Sequence, residues 1–327
     1  MNCHCTLRVV ERRPGIPWLA LGCWGILMGL LGGCSLDGLA AGFSLPGTVV
    51  YETTSVYHHI RVVDHQGGRT LCFDDSTQTR MMVGNPLLGH FEYTEYFHLP
   101  WLWTTNMKAV LMIGLGGASV QRSFAHYYPG VSIDTVEIDP TVLQVARQHF
   151  EFKETPRQRV HLEDGRVYLR RSQSTYDVVL LDAYVQSRYG PALPYHLVTR
   201  EFFEQVKARL STSGVVAYNC MGTLRGWQAD MVGALYRTMK AVFPQVYLFP
   251  AREGLNVVLI ATQSPESVTL EDLQGRAIQA VKSQRVRLPT LARRAAALQT
   301  GDPPNAKDCP VLLDDYAPVD GLFCQRP

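Results

Sequence analysis

Hydrophobic and polar positions along the chain follow two different periods, and the change comes near residue 106. From residue 48 onward apolar residues fall in short alternating runs at 49–51, 57–63 and 70–73, with Gln66-Gly67-Gly68 between the second and third. Alternation with period two, punctuated by turn residues, predicts a small antiparallel sheet. A helical pattern is expected over 87–103, ending at Thr104-Thr105-Asn106. Residues 107–113 then form an apolar run broken only by Lys108, followed by Gly114-Leu115-Gly116-Gly117 and a helix-compatible stretch at 119–128. Strand patterns recur at 132–138, 159–162, 176–181, 214–219, 245–249 and 256–261, with helical stretches between most of them. Pro140 opens one of these helices at a first-turn position, where a missing N–H costs nothing. Such alternation predicts right-handed crossovers and a mostly parallel, doubly wound α/β sheet covered on both faces, which binds ligands at the carboxyl ends of its strands. An Ala- and Arg-rich helical stretch is expected over 276–300, after which Pro303-Pro304 begins an irregular end.

The organisation that follows is a leader at 1–33, a β-hairpin domain plus helix at 48–105, the α/β domain at 106–300 and a tail at 301–327. In the leader, Arg8, Arg12 and Arg13 precede an apolar stretch at 18–31, short for a membrane span but suited to a signal-peptide core. It runs into Leu31-Gly32-Gly33-Cys34-Ser35, which resembles a bacterial lipobox. Lipidation at Cys34 would tether the domain to the envelope membrane without spanning it. The other reading is a short anchor or a misplaced start, the latter leaving the protein cytoplasmic.

Composition narrows the remaining classes. At 327 residues, 46% hydrophobic and 18% charged, the chain can bury a sizeable core, and a net charge of +2 without basic runs speaks against nucleic acid. Beyond the leader and Cys34, the four cysteines Cys72, Cys220, Cys309 and Cys324 show no CxxC or Cys/His spacing, so no structural metal is indicated. In an oxidising compartment Cys309 and Cys324 either pair or stand as lone buried thiols.

Candidate chemistry gathers at the ends of the expected strands. Gly114, Gly116 and Gly117 suit a turn where backbone approaches a ligand closely, and Glu137 ends the next strand, where a carboxylate accepts both ribose hydroxyls. Ser119 stands where a full GxGxxG places its third glycine, which favours AdoMet over NAD. Glu163-Asp164-Gly165 follows the third strand, and Asp164 either accepts an adenine amino group or caps the following helix. Asp182 ends the run Val178-Val179-Leu180-Leu181 and faces whatever occupies the cleft.

Taken in order, these motifs resemble the spermidine synthase (polyamine aminopropyltransferase) family over about 49–263. The segment 52–60 is similar to its opening strand, Phe73-Asp74-Asp75-Ser76-Thr77-Gln78 to its LDGxxQ, and Phe91-Glu92-Tyr93-Thr94-Glu95 to its YHE segment. Ile113-Gly114-Leu115-Gly116-Gly117, Val136-Glu137-Ile138-Asp139, Asp164-Gly165, Asp182 and Gly190-Pro191-Ala192 continue the match. The resemblance implies an AdoMet-methyltransferase-like (Rossmann-like) domain that transfers an aminopropyl group from decarboxylated AdoMet to a putrescine-like amine. It assigns Gln78, Gly114, Gly116, Gly117, Glu137, Asp164 and Gly165 to the nucleoside donor, Tyr93 and Pro191 to the acceptor, and Asp182 to the general base. A homodimer is also implied, by analogy alone.

The departures are as specific as the matches. Where the family's turn reads GGGDG this chain has Gly117, and where DxxDP carries a second aspartate, Asp182-Ala183-Tyr184-Val185-Gln186 carries none. A tyrosine-proline segment gives way to Arg252-Glu253-Gly254, and His58 stands in place of a glutamine. Two lost anionic contacts, at roughly 1.5 to 3 kcal/mol each, weaken the hold on a dication, so poor spermidine synthesis is expected. Tyr195-His196-Leu197, Thr199, Glu201-Phe202-Phe203 and the segment 314–320 resemble a divergent spermidine synthase-like branch; Tyr195 and His196 either enter the cleft or pack, and Asp314 and Asp315 either complete an amine site or cap a turn. An AdoMet-dependent methyltransferase and a non-catalytic envelope lipoprotein that keeps a nucleoside-binding fold remain alternatives.

Overall fold

The computed structural model describes residues 45–187, 190–226 and 228–322. The leader, Cys34 and Cys324 lie outside the described residues. The alternating segment folds as an antiparallel meander of four strands, β1 (Thr48–Thr54), β2 (His59–His65), β3 (Gly68–Phe73) and β4 (Ser76–Met82), in that order. Gln66 and Gly67 both take left-handed φ, 48° and 75°, which is the two-residue hairpin geometry that matches strand twist. Ile60, Val62, Leu71 and Met81 turn inward and pack against Val142, Ala146 and Phe150 of the larger domain.

The helix expected over 87–103 is broken. Only α1 (Tyr93–Tyr96) and a 3-10 turn at Leu99–Leu102 form. Gly89 takes φ of 79° near the start of the segment, and Pro100, which cannot donate within a helix, is the second residue of the 3-10 turn.

From here strands and helices alternate: β5 (Ala109–Ile113), α2 (Ser119–Tyr127), β6 (Ser132–Glu137), α3 (Pro140–His149), β7 (Gln158–Leu162), α4 (Gly165–Arg171) and β8 (Tyr176–Leu181). A short hairpin of β9 (Val185–Ser187) and β10 (Gly190–Ala192) precedes α5 (Arg200–Ala208), β11 (Leu210–Met221), α6 (Ala229–Lys240), β12 (Gln245–Pro250) and β13 (Asn256–Thr262). The sheet has seven strands in the order β12-β13-β11-β8-β5-β6-β7. β11, β8, β5, β6 and β7 are parallel, while β13 runs antiparallel to both neighbours. Period two decides which face each apolar residue covers. Leu111, Ile113, Val179 and Leu181 join the core under α5 and α6, and Val110, Met112, Val178 and Leu180 join the opposite one.

The Ala- and Arg-rich stretch is two helices, α7 (Leu270–Lys282) and α8 (Leu291–Ala295), parted where Gln284 takes φ of 56° ahead of Pro289. Beyond residue 300 the chain is irregular but docked. Leu312 is fully buried and bonds through its backbone to Arg200 and to the Thr238 hydroxyl, and α9 (Val319–Leu322) closes the described segment against α6. Among the described residues no helix is long and apolar enough to cross a membrane.

Candidate active site

Strand register delivers the candidate residues to one edge. Ile113 pairs with Val136 on one side and Leu181 on the other, so the next residues along each chain, Gly114, Glu137 and Asp182, emerge side by side at the carboxyl ends. Asp164, just past β7, and Asn219, near the end of β11, extend the row in both directions. They open into a cleft of about 550 Å³ roofed by the meander, the α1 segment and the β12–β13 loop.

Gly114 takes φ of 103°, and a Cβ there would collide with the Asp182 carbonyl oxygen, so only glycine lets β5 and β8 end this close together. Glu137 is buried, with Leu115 N–H donating to its Oε2 at 3.0 Å and Asp139 N–H to its Oε1 at 2.9 Å. Burial pushes its pKa up to about 7, against the pull of those backbone donors. A carboxylate fixed by two N–H groups keeps lone pairs for further donors at the strand end.

Asp164 serves as the helix cap that its position allowed. Its Oδ1 accepts the N–H groups of Arg166 and Val167 at 3.0 and 2.9 Å, while Oδ2 meets His196 Nε2 at 2.7 Å. The His196 hydrogen bond holds its carboxyl below the usual range. Both residues line the cleft, as does Gly165.

Asp182 occupies the centre of the row. Tyr93 donates its hydroxyl to Oδ2 at 3.1 Å, and Asn219 donates its amide to Oδ1 at 2.9 Å. Asn256 in turn donates to Asn219 Oδ1 at 3.1 Å. Burial pushes Asp182 up to about 6, with the Asn219 and Tyr93 donors pulling the other way. A carboxylate titrating there can accept a proton near neutral pH.

Gln78 lines the cleft and donates to Ser76 Oγ at 2.6 Å; Gly116 lines it too. Two expected residues do not. Gly117 is turned away: its N–H donates to Thr79 Oγ1 at 2.8 Å, and its missing side chain would point at Thr79 and Phe150. Pro191 pairs with Gln186 across the β9–β10 hairpin and borders a smaller crevice with His58, Phe73 and Gln78. Tyr195 is 65% exposed and not part of the lining. Asp314 is engaged elsewhere, in a two-pronged ion pair with Arg166 at 2.7 Å, and neither it nor Asp315 lines the cleft. Asn219, Asn256 and Thr79 carry no motif that marks them in sequence. Cys72 and Cys220 are buried thiols, and Cys309 is buried as well. No group of metal-ligating side chains occurs among the described residues.

A family model, the spermine/spermidine synthase domain, matches residues 90–267. A polyamine aminopropyltransferase of Vibrio vulnificus is 35% identical over 68% of this chain and 76% of its own length. The chain belongs to the spermine/spermidine synthase family. A probable polyamine aminopropyl transferase of Bifidobacterium longum is 30% identical over 60% of this chain and 42% of its own. The human eEF1A lysine and N-terminal methyltransferase is 33% identical over 48% of this chain, which spans only 23% of that protein. The fold agrees with a probable spermidine synthase from Corynebacterium glutamicum, at 17% identity and a TM-score of 0.62 over 86% of this chain and all of that one. It also agrees with human methyltransferase-like protein 13 in complex with SAH, at 28% identity and a TM-score of 0.53 over 61% and 94% of the two chains. Glu137, Asp164 and Asp182 line one cleft at the carboxyl edge of its sheet.

Proposed function

We propose that the chain transfers an aminopropyl group from decarboxylated AdoMet to a primary amine. The observation that carries the reading is the charge of the cleft. Glu92, Glu137, Glu163, Asp164, Asp182 and Glu253 line it, and no lysine or arginine does among the described residues. A decarboxylated donor brings a sulfonium and an ammonium, both of which gain from carboxylates in a partly dry site. Intact AdoMet adds a carboxylate of its own, for which this lining offers no lysine or arginine among the described residues.

Glu137, Asp164 and the Gly114–Gly116 turn support nucleoside binding, and Gln78 also lines the cleft. The acceptor nitrogen attacks the propyl carbon attached to sulfur, the carbon–sulfur bond breaks, and methylthioadenosine leaves as a neutral thioether. Asp182 takes the proton that the amine loses. Alignment of amine, carbon and sulfur supplies most of the rate, because the sulfonium is already activated. The test is release of methylthioadenosine, with the aminopropylated product, from decarboxylated AdoMet and putrescine by the full chain. Asp182→Asn should abolish it; undiminished release would remove Asp182 from the mechanism.

Methyl transfer is the second reading, favoured by the identity to the eEF1A methyltransferase. S-adenosylhomocysteine release from intact AdoMet would support it. For the leader, the arginines, apolar stretch and Cys34 support lipidation and envelope anchoring. Mass spectrometry of detergent-extracted protein showing an unmodified Cys34 would refute that.

A further inference from the structure

Of the acids lining the cleft, all but one are engaged within the protein. Glu137 accepts two backbone N–H groups, Asp164 caps α4 and meets His196, and Asp182 accepts from Tyr93 and Asn219. Glu163 pairs with Arg171, and Glu92 receives Arg294 together with the backbone N–H of Glu253. The exception is Glu253. It lines the cleft and is exposed, and its carboxylate makes no hydrogen bond or ion pair with any described residue.

Its loop is nevertheless held in place, and held on the side of Asp182. At one end the Glu253 N–H is gripped by Glu92, the residue before Tyr93, whose hydroxyl reaches Asp182. At the other end Asn256 grips Asn219, whose amide also reaches Asp182. The nucleoside candidates Glu137 and Asp164 lie on the opposite flank of the row. A diamine acceptor presents two nitrogens. One reacts and gives its proton to Asp182, and the other stays charged and gains from a counter-charge across the cleft. Position 185, where the family's DxxDP would carry its second aspartate, is Val185.

We propose that Glu253 is that counter-charge: it selects a diamine over a monoamine by pairing with the ammonium that does not react. The inference rests on the acceptor being an amine bound beside Asp182. An exposed pair of this kind is worth up to about 1 kcal/mol, or about fivefold in affinity.

The experiment titrates putrescine and 1-aminobutane into the full chain saturated with methylthioadenosine. Wild-type protein should bind the diamine about fivefold more tightly. Glu253→Gln should bring the two amines to parity by weakening the diamine alone, Glu253→Asp should keep part of the preference, and Arg252→Gln, at an exposed neighbour outside the cleft lining, should keep all of it. Equal weakening of both amines in Glu253→Gln, or no weakening of either, would overturn the proposal. The proposed function is tested separately by transfer. A Glu253-dependent diamine preference in a protein that forms no aminopropyl product would overturn that reading and leave this one standing.

Discussion

Asn219 aims its side-chain amide at Asp182 Oδ1, 2.9 Å away, and Asn256 fixes that direction by donating to Asn219 Oδ1 at 3.1 Å. Because Asn256 occupies the oxygen, Asn219 can only donate to Asp182, which favours the ionised carboxylate and opposes the burial that raises its pKa. The sign of the pH dependence follows. On the proposed mechanism Asp182 must be unprotonated to accept a proton, so activity should fall as pH drops through about 6.

Removing the donor should move that limb. Asn219→Ala leaves burial unopposed at Oδ1, so the Asp182 pKa rises and the acid limb of kcat/KM shifts to higher pH. A profile that keeps its midpoint in the variant would mean the Asn219 bond does not tune the base.

Glu137→Gln tests the nucleoside edge. An amide has one acceptor oxygen, so it cannot satisfy both the Leu115 and Asp139 N–H groups that now share the carboxylate. Affinity for methylthioadenosine should fall about tenfold, with a stability loss of about 1 to 3 kcal/mol from the orphaned N–H. Calorimetric titration well below the unfolding temperature separates the two. Unchanged affinity would move the ribose contact elsewhere.

How much of this was legible depends on whether a residue's neighbours are local. The parallel strands announced themselves because they are buried on both faces and read as apolar runs, and their ends placed Glu137 and Asp182. β4 did not, because Ser76-Thr77-Gln78-Thr79 is polar, and with it went the contact between Thr79 and Gly117. The 87–103 segment carried a helical pattern that Gly89 and Pro100 interrupt in the folded chain. Asn219 lies within a strand and is distinguished only by what stands across from it. Arg294 is one arginine in a run of them, and its burial comes from Glu92 and Glu95, about two hundred positions earlier.

Gly117→Asp would restore the acid that the resemblance expects, but the structure argues against a gain. A Cβ at Gly117 would lie 2.6 Å from Thr79 Cγ2 and 2.9 Å from Phe150 Cδ1. Neither neighbour is the far end of a flexible side chain, so overpacking of about 1 to 3 kcal/mol is expected. The variant should unfold at lower temperature without faster methylthioadenosine release, and pairing it with Thr79→Ala should recover part of the lost stability. Faster release in the single variant would show that the loop opens toward the cleft.

Arg294 is nearly fully buried in α8, with Glu92 and Glu95 on the segment that carries Tyr93. Burial alone would raise the Glu95 pKa, yet the hydrogen bonds from His90, Thr290 and Arg294 bring it down to about 2 from 4.5. A carboxyl whose folded pKa is depressed contributes stability that is fully present above its unfolded pKa of 4.5 and is lost as pH falls through about 2. In Arg294→Met the two carboxylates lose their cation, and the cost at neutral pH should be about 3 to 5 kcal/mol because the remaining charges stay buried. With the cation gone, burial weighs more heavily on Glu95, so the variant should regain stability on mild acidification, where the wild type does not. Adding Glu92→Gln and Glu95→Gln to Arg294→Met should restore much of the neutral-pH stability without acid. Urea unfolding at neutral and mildly acidic pH measures all three proteins, and a loss in Arg294→Met that neither acid nor the two amides relieve would assign the effect to lost packing.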